Sequence, residues 1–376
     1  MNEYTIFDVE TTGATNGTKG NPYCINNILV RWGMLRSGGR SAELSNGPIP
    51  PMEGVCVGLN LKFDLAWLRR VGGSLPSRIW DCQYAQYCIL RQQVPWLSLN
   101  DCLEYYGYPL KLDIVKTEYW DKDIDTDQIP KDVLEEYLTY DLIGTEKVYK
   151  AQLNYLQDKP QLMKLILLGM EDILYTFEME WNGLYYDLKL SFQKSNEIQQ
   201  RISEIDQDLV AIAGDYPINW ASNDHISAVL FGGIIKETYR EHYQQTLKSG
   251  EVKDKSRWST REHQLPSLIK PKKKWAVKKE GYYSTNEETL VDAKKYATKK
   301  ATKIIDLLLE RAKLEKLDSS YFTGLPKLYH EYQWHSSIIH GQLNHCIART
   351  GRIASQKPNL QNNPDAVREC LSSRFH

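Results

Sequence analysis

No apolar run in the 376 residues approaches the roughly 20 needed to cross a bilayer, and Leu165-Ile-Leu-Leu168 is far too short. The chain opens Met1-Asn-Glu and enters strand-like sequence with no basic segment or apolar core before it, so no secretory signal is read and export is not expected. Cys-x-x-Cys pairs are absent. The seven cysteines (24, 56, 82, 88, 102, 346, 370) are odd in number and scattered, which fits reduced thiols filling cores in a cytosol better than a disulfide frame. Gly17-Thr-Lys-Gly20 lacks the spacing of a Walker loop. His335, His340 and His345 are spaced by five rather than the three or four of helical zinc pairs, so a zinc site is not expected. There is no internal repeat.

What is present is a composition of 41% hydrophobic and 25% charged residues, that of a globular protein too long for one ordinary core. Two packed units are expected. The formal net charge is −1, but residues 1–150 carry −5 and residues 151–376 carry +4. An acidic half that holds metal ions beside a mildly basic half that touches phosphate would suit nucleic acid. Charge alone favours ordinary surface variation.

Tyr4 to Glu10 reads as a strand closed by Thr11-Thr-Gly13, Ile28 to Leu35 as a second, and Gly54 to Gly58 as a short buried third. Residues 37–51 look like a loop, and Leu59 to Leu68 carries helical apolar spacing. Ser98-Leu-Asn-Asp101 is a capping-box-like helix start, because the Ser oxygen can accept a free N-terminal amide. Pro130 opens another helix whose apolar face runs Val133, Leu134, Tyr137, Leu138, Leu142, Val148. From about residue 160 the pattern is mainly helical, as in Leu162 to Trp181 and Glu287 to Leu317, which places a boundary near residue 155. Residues 236–283, with Lys272-Lys-Lys274, Lys278, Lys279, Pro266 and Pro271 and few aliphatics, read as a flexible basic insertion, first a solvated loop, second a DNA-tracking segment and last a dock for a processivity partner. After Gly324 the helical periodicity stops, and Ile338 to Ile347 looks like a hairpin.

Side chains alternate across a strand, so Asp8 and Glu10 emerge on one face, where two carboxylates can grip one hard cation. A lone Asp-x-Glu is usually an exposed strand pair. Asp141 adds weight because it lies on the apolar stripe of its helix one turn beyond Tyr137, where an unpaired carboxylate would cost several kcal/mol, roughly, without a cation or hydrogen bonds. A lysine partner at the edge of the stripe would explain Asp141 equally well. Tyr137 by itself is most often core. Asp64 follows a short buried strand at its carboxyl end, where open α/β sheets place ligands.

These residues, in Phe7-Asp-Val-Glu-Thr-Thr-Gly13, Gly58-Leu-Asn-Leu-Lys-Phe-Asp-Leu65 and Tyr137-Leu-Thr-Tyr-Asp141, resemble the three motifs of the proofreading 3′→5′ exonucleases, and Trp80-Asp81 looks like their connecting segment. The resemblance implies an α/β, ribonuclease H-like domain over residues 1–155, with a mixed sheet flanked by helices. It also implies that Asp8, Glu10 and Asp141 bind one Mg²⁺ or Mn²⁺, that Asp8 shares a second ion, that Asp64 helps hold that second ion through water, and that Tyr137 orients the attacking water.

The remainder resembles the family A DNA polymerases, the group of the bacterial repair polymerase and many bacteriophage replicases. Met170-Glu171 through Asp187, Ser222 to Phe231, Ser284 to Leu290 and Arg311 to Tyr321 look like a thumb, so residues 156–330 are expected to be a helical thumb-like region. Residues 331–376 are expected to begin a palm. Arg349-Thr-Gly-Arg-Ile-Ala-Ser355 followed by Pro358-Asn-Leu-Gln-Asn362 resembles the primer-template segment, which implies that Arg352, Asn359, Gln361 and Asn362 contact DNA. Such groups bind phosphates and minor-groove acceptors without reading sequence. In that family the palm's metal ligands and the fingers come later than His376, so this chain alone is not expected to polymerise nucleotides; the missing parts are expected either on a second polypeptide, which would then be a partner, or in a longer chain of which this is a truncated part. The expected function is therefore a two-metal 3′→5′ DNA exonuclease joined to part of a polymerase, working in a bacterial or phage-infected cytoplasm. Its chief rival is a non-catalytic primer-template-binding subunit completing a split polymerase, and an RNA-trimming nuclease ranks third.

Overall fold

Alternating apolar residues lay down a five-stranded sheet. The computed structural model describes residues 3–375 apart from 16, 112, 215 and 247–251, so His376 lies outside the described residues. In it β1 (Tyr4–Thr11), β2 (Leu29–Arg36), β3 (Glu43–Ser45), β4 (Val55–Gly58) and β5 (Ile79–Asp81) take the order β3-β2-β1-β4-β5. β2 runs antiparallel to β1 and β3, while β1, β4 and β5 are mutually parallel, so the sheet is mixed. β3 lies in the stretch expected to be a loop. It is a three-residue edge strand, too short for periodicity to reveal.

The strand ends place the helices. α1 (Lys62–Arg70) follows β4, starting three residues later than expected because Asn60 takes a left-handed φ of 57° before the helix begins. α2 (Cys82–Ile89) follows β5 directly, and the Asp81 carboxylate caps it by accepting from the N–H groups of Gln83 (2.9 Å) and Tyr84 (3.1 Å). α3 (Leu99–Tyr105) begins with the anticipated capping box of Ser98 and Asp101. α4 (Ile114–Glu118) leads to α5 (Lys131–Leu156), which Pro130 precedes.

α5 lies on the sheet face that bears Tyr4, Ile6, Asp8 and Glu10, where the Tyr4 hydroxyl donates to Glu146 at 2.6 Å. Its approach is close because Gly33, the cross-strand partner of Asp8, has no side chain. A Cβ there would lie 2.8 Å from Leu142 Cδ1 and 3.0 Å from Leu138 Cγ.

Two compact units emerge, one of residues 1–188 with 325–376 and one of residues 189–324. The expected divisions near 155 and 330 do not coincide with them. α6 (Pro160–Asn182) follows α5 after three residues and buries Ile166, Met170, Ile173 and Phe177 in the same core as Trp80, Cys82 and Ala85, so it packs with the sheet rather than opening a new unit. β6 (Leu184–Tyr186) closes this stretch.

The second unit contains α7 (Leu188–Ala213), α8 (Asn223–Phe231), β7 (Gly233–Thr246), β8 (Val252–Leu265), α9 (Glu287–Lys294) and α10 (Lys299–Leu317). Its core gathers Trp220, Leu230, Phe231, Trp275, Ile304, Ile305 and Leu308. Ser222, Asn286 and Thr298 cap α8, α9 and α10 through their side chains. The insertion read as a flexible loop is for the most part a ribbon: β7 and β8 pair antiparallel from Gly233–Leu265 to Thr246–Val252. Beyond its base, where Ile235 and Leu265 are buried, most residues on both faces of the ribbon are polar, so it carries little apolar alternation for the sequence to display. Arg261 over the Tyr239 ring (5.0 Å) and Arg257 over that of Tyr243 (5.4 Å) support it across the strands.

On return to the first unit the chain forms α11 (Gly324–Glu331), β9 (Ile338–Ile339), β10 (Gln342–Asn344), β11 (Ala354–Gln356), α12 (Asp365–Arg368) and β12 (Leu371–Ser372). Helix thus continues beyond Gly324, contrary to expectation, although α11 is only eight residues long. The expected hairpin over 338–347 is also replaced, because β9 pairs with β6 in a β12-β6-β9 sheet while β10 pairs with β11. Between them His340 stacks on Tyr23 at 3.9 Å and donates from Nδ1 to the Glu180 carbonyl at 2.9 Å, which carries the chain out of one sheet and into the other.

Gly33→Ala is expected to lower stability by about 1–3 kcal/mol, because the new methyl overpacks Leu138 and Leu142. Thermal unfolding would register it, and an unchanged Tm would show that α5 can move off the sheet without cost.

Candidate metal centre

Three carboxylates converge at the carboxyl end of β1. Asp8, Glu10 and Asp141 each offer an oxygen, and these oxygens lie within 4.8 Å of one another. Oxygens on opposite sides of one Mg²⁺ are about 4.2 Å apart, so the spacing of the set suits one ion. β1 supplies two of the three by its alternation, and α5 supplies the third across the gap left by Gly33.

Asp64, from the first turn of α1, is 3% exposed and stands beside this set rather than in it. Its Oδ1 accepts from the Val9 N–H at 3.1 Å, and Asp8 Oδ1 accepts from the same N–H at 3.1 Å. The two carboxyl groups therefore share one backbone donor and lie side by side. Asp8 is thus common to the set of three and to the pair with Asp64.

Burial and mutual repulsion keep these acids protonated further into the neutral range than usual. Desolvation, then the charge of Asp141, pushes Asp8 up to about 7. Burial first, then Asp8, raises Glu10 and Asp64 well above the carboxylate range. Burial also raises Asp141, against the pull of Lys111. Tyr137 packs edge-on to Trp120 at 6.1 Å, and burial followed by the Asp141 and Glu10 charges raises its hydroxyl, which stays protonated and able to donate.

Lys111 is the residue that sequence reasoning did not find. Its ammonium donates to both Asp141 oxygens at 2.7 Å and lies 3.8 Å from the centre of the Tyr137 ring. Asp141 therefore has the lysine partner that its sequence position allowed, and it also lies within the acidic set. Lys111 sits in the irregular stretch between α3 and α4, thirty residues before Asp141, with no periodicity to mark it. Asp125 also escaped notice. Its carboxylate accepts from the N–H groups of Gly13 (3.0 Å) and Ala14 (3.2 Å) and fixes the turn after β1, where Gly13 has a φ of 100° that favours glycine.

Arg352, Asn359, Gln361 and Asn362 belong to another feature, an exposed loop around β11. The Leu360 N–H donates to Ser355 Oγ (3.0 Å), the Gln361 N–H to Asn359 Oδ1 (3.1 Å), and Gln361 Nε2 to the Ile353 carbonyl (3.2 Å). Asn359 and Gln361 thus shape the loop as well as face solvent. Nearby, a polar cleft of about 320 Å³ is lined by Lys19, Asn60, Lys62, Gln342, Gln356 and Lys357, among others.

Residues 262–374 match the family described as DNA polymerase family A, a span that includes the exposed loop and none of the carboxylates. Among curated proteins, DNA polymerase I of Bacillus subtilis is 26% identical over 239 residues, 64% of this chain and 22% of that protein. DNA polymerase I of Synechocystis is 26% identical over 312 residues, 81% of this chain and 26% of that protein. This chain is related to the family A DNA polymerases. It spans only about a quarter of the length of these relatives. The solved POL domain of Pol1 from M. smegmatis, in complex with DNA primer-template and dNTP, shares the fold with a TM-score of 0.63 at 18% identity, covering 97% of this chain and 54% of that one. Among the described residues no helix is long and apolar enough to cross a membrane.

The raised acids set a pH dependence. A carboxyl group whose folded pKa is raised stabilises the fold below its unfolded pKa and loses that contribution as pH climbs toward the folded value, here about 7 for Asp8. In EDTA the wild-type Tm is therefore expected to fall between about pH 4 and 7, from the ordinary Asp8 value of 3.8 to its raised value of about 7. Asp8→Asn should flatten that fall by roughly 2–6 °C, the equivalent of ~1–2 kcal/mol. Parallel pH profiles for the two proteins would contradict the assignment.

Proposed function

We propose that this chain is a metal-dependent 3′→5′ DNA exonuclease of the proofreading type, releasing nucleoside monophosphates, attached to part of a family A polymerase. The observation that carries the reading is the convergence of Asp8, Glu10 and Asp141 to within 4.8 Å, with Asp64 against Asp8. The strand order β3-β2-β1-β4-β5 supports a ribonuclease H-like domain around them.

In this reading Asp8, Glu10 and Asp141 hold one Mg²⁺ or Mn²⁺, and Asp8 with Asp64 holds a second. Such ions, when bound, stabilise the attacking and leaving oxygens of an in-line displacement and make water a stronger nucleophile. The chain itself supplies position. β1 and α5 fix the carboxylate oxygens, and the protonated Tyr137 hydroxyl orients the water by a hydrogen bond. No covalent intermediate on the protein is required. The loop bearing Arg352, Asn359, Gln361 and Asn362 would hold primer-template through contacts that do not depend on sequence. The exposed position of all four residues supports this role.

A second reading has one observation in its favour. The pairing of Lys111 with Asp141 would suit a vestigial site in a non-catalytic primer-template-binding subunit, completed by a second polypeptide bearing the rest of the polymerase. Activity separates the two. Labelled single-stranded DNA, primed duplex and RNA incubated with Mg²⁺ should show shortening of DNA from the 3′ end. Asp8→Ala is expected to reduce that rate by at least ~10³-fold, near the assay background. Equal rates in the two proteins would remove Asp8 from the chemistry, and RNA as the preferred substrate would favour a trimming nuclease.

Binding gives a separate check. Arg352→Ala is expected to weaken primed-duplex affinity and to reduce the slope of log K against log salt by about 1, with no change in sequence preference. A loss confined to particular sequences would overturn the phosphate or minor-groove role.

A further inference from the structure

Lys111 is not placed as a surface lysine. Its side chain is only 13% exposed. Its backbone is bracketed by the Asn100 amide: the Lys111 N–H donates to Asn100 Oδ1 at 3.0 Å, and Asn100 Nδ2 donates to the Lys111 carbonyl at 3.3 Å. Asn100 lies in the first turn of α3, which the Ser98 and Asp101 capping box holds. A fixed main chain thus carries a flexible four-carbon stem whose ammonium reaches Asp141.

The ammonium lies 2.7 Å from both Asp141 oxygens, where it spans the carboxylate. A divalent cation held by Asp141 must come within about 2.1 Å of one of those oxygens. Two positive charges on the same edge of one carboxylate repel, so the ion and the ammonium compete. The stem can yield while the bracketed backbone stays. Asp113 is close enough to act on Asp141 and Tyr137, and Glu136 lines the same pocket as Lys111, so the phosphate of a bound 3′ end would compete with these carboxylates for the displaced ammonium.

We propose that Lys111 is a tethered counter-cation of the metal site: it neutralises Asp141 until a divalent ion displaces it, and then pairs with the phosphate of the bound DNA end. The inference rests on the metal-site reading given above. It makes DNA and metal binding mutually reinforcing, since the phosphate takes the ammonium that otherwise opposes the ion.

The test is a thermal-shift titration with Mn²⁺, with and without a single-stranded oligonucleotide carrying a nonhydrolysable 3′-terminal linkage. Wild-type protein is expected to require less Mn²⁺ when the oligonucleotide is present. Lys111→Met keeps the length and removes the charge, so it should have a lower Tm in EDTA. It should also reach its Mn²⁺ midpoint at roughly tenfold lower concentration without DNA, with most of the DNA dependence lost. Lys111→Arg, whose planar fork pairs more firmly with a carboxylate, should move the midpoint upward. The Arg variant decides the matter if the Met variant does not fold. Equal Mn²⁺ midpoints in wild type and either variant would overturn the counter-cation and leave the metal site standing. No Mn²⁺ shift in any of these proteins would overturn both.

Discussion

Negative charge gathered out of water is the constraint on which the rest of this structure depends. Asp8, Glu10, Asp64 and Asp141 come together where β1 ends, and each is pushed toward its protonated form by burial. An arrangement that costs stability persists only where surrounding packing imposes it. Here the packing is specific: Asp8 and Glu10 share a face of a central strand, Gly33 lets α5 close on that face, and Asp125 pins the turn that follows. Lys111 offsets part of the charge.

The same frame explains why the sheet unit takes in more chain than its first half. α6 lays its apolar stripe against the core that β5 and α2 begin, and Tyr87 of α2 donates to the carbonyl of Ala348 at 2.5 Å. Residues 325–376 thereby pack with the unit that carries the carboxylates, although they are distant in sequence from it. The family A match begins at residue 262, within the helical unit, and ends at 374, after the exposed loop. One compact unit therefore contains both the acidic centre and the loop whose sequence resembles a primer-template contact.

Strands β1, β2 and β4, the capping box at Ser98 and the start of α5 after Pro130 were legible because each is a local pattern: alternation, a paired cap, a proline. The carboxylates were legible as candidates for the same reason. The ribbon of β7 and β8 was not, because exposed strands with two mostly polar faces have little apolar period. β10 was assigned to the wrong partner since two short strands joined by a tight turn read alike whether they pair with each other or with separate sheets. Lys111 left no trace in its own neighbourhood.

The amino-acid sequence by itself determined which side chains could bear charge on one face of β1, where α5 would present Tyr137 and Asp141, and which family the chain resembles, because those features are written in spacings of a few residues. The tertiary structure alone decided that Lys111 faces Asp141, that Asp64 shares a donor with Asp8, and that residues 325–376 join the sheet unit. These depend on distances between segments far apart in the chain, which packing sets and local periodicity does not encode.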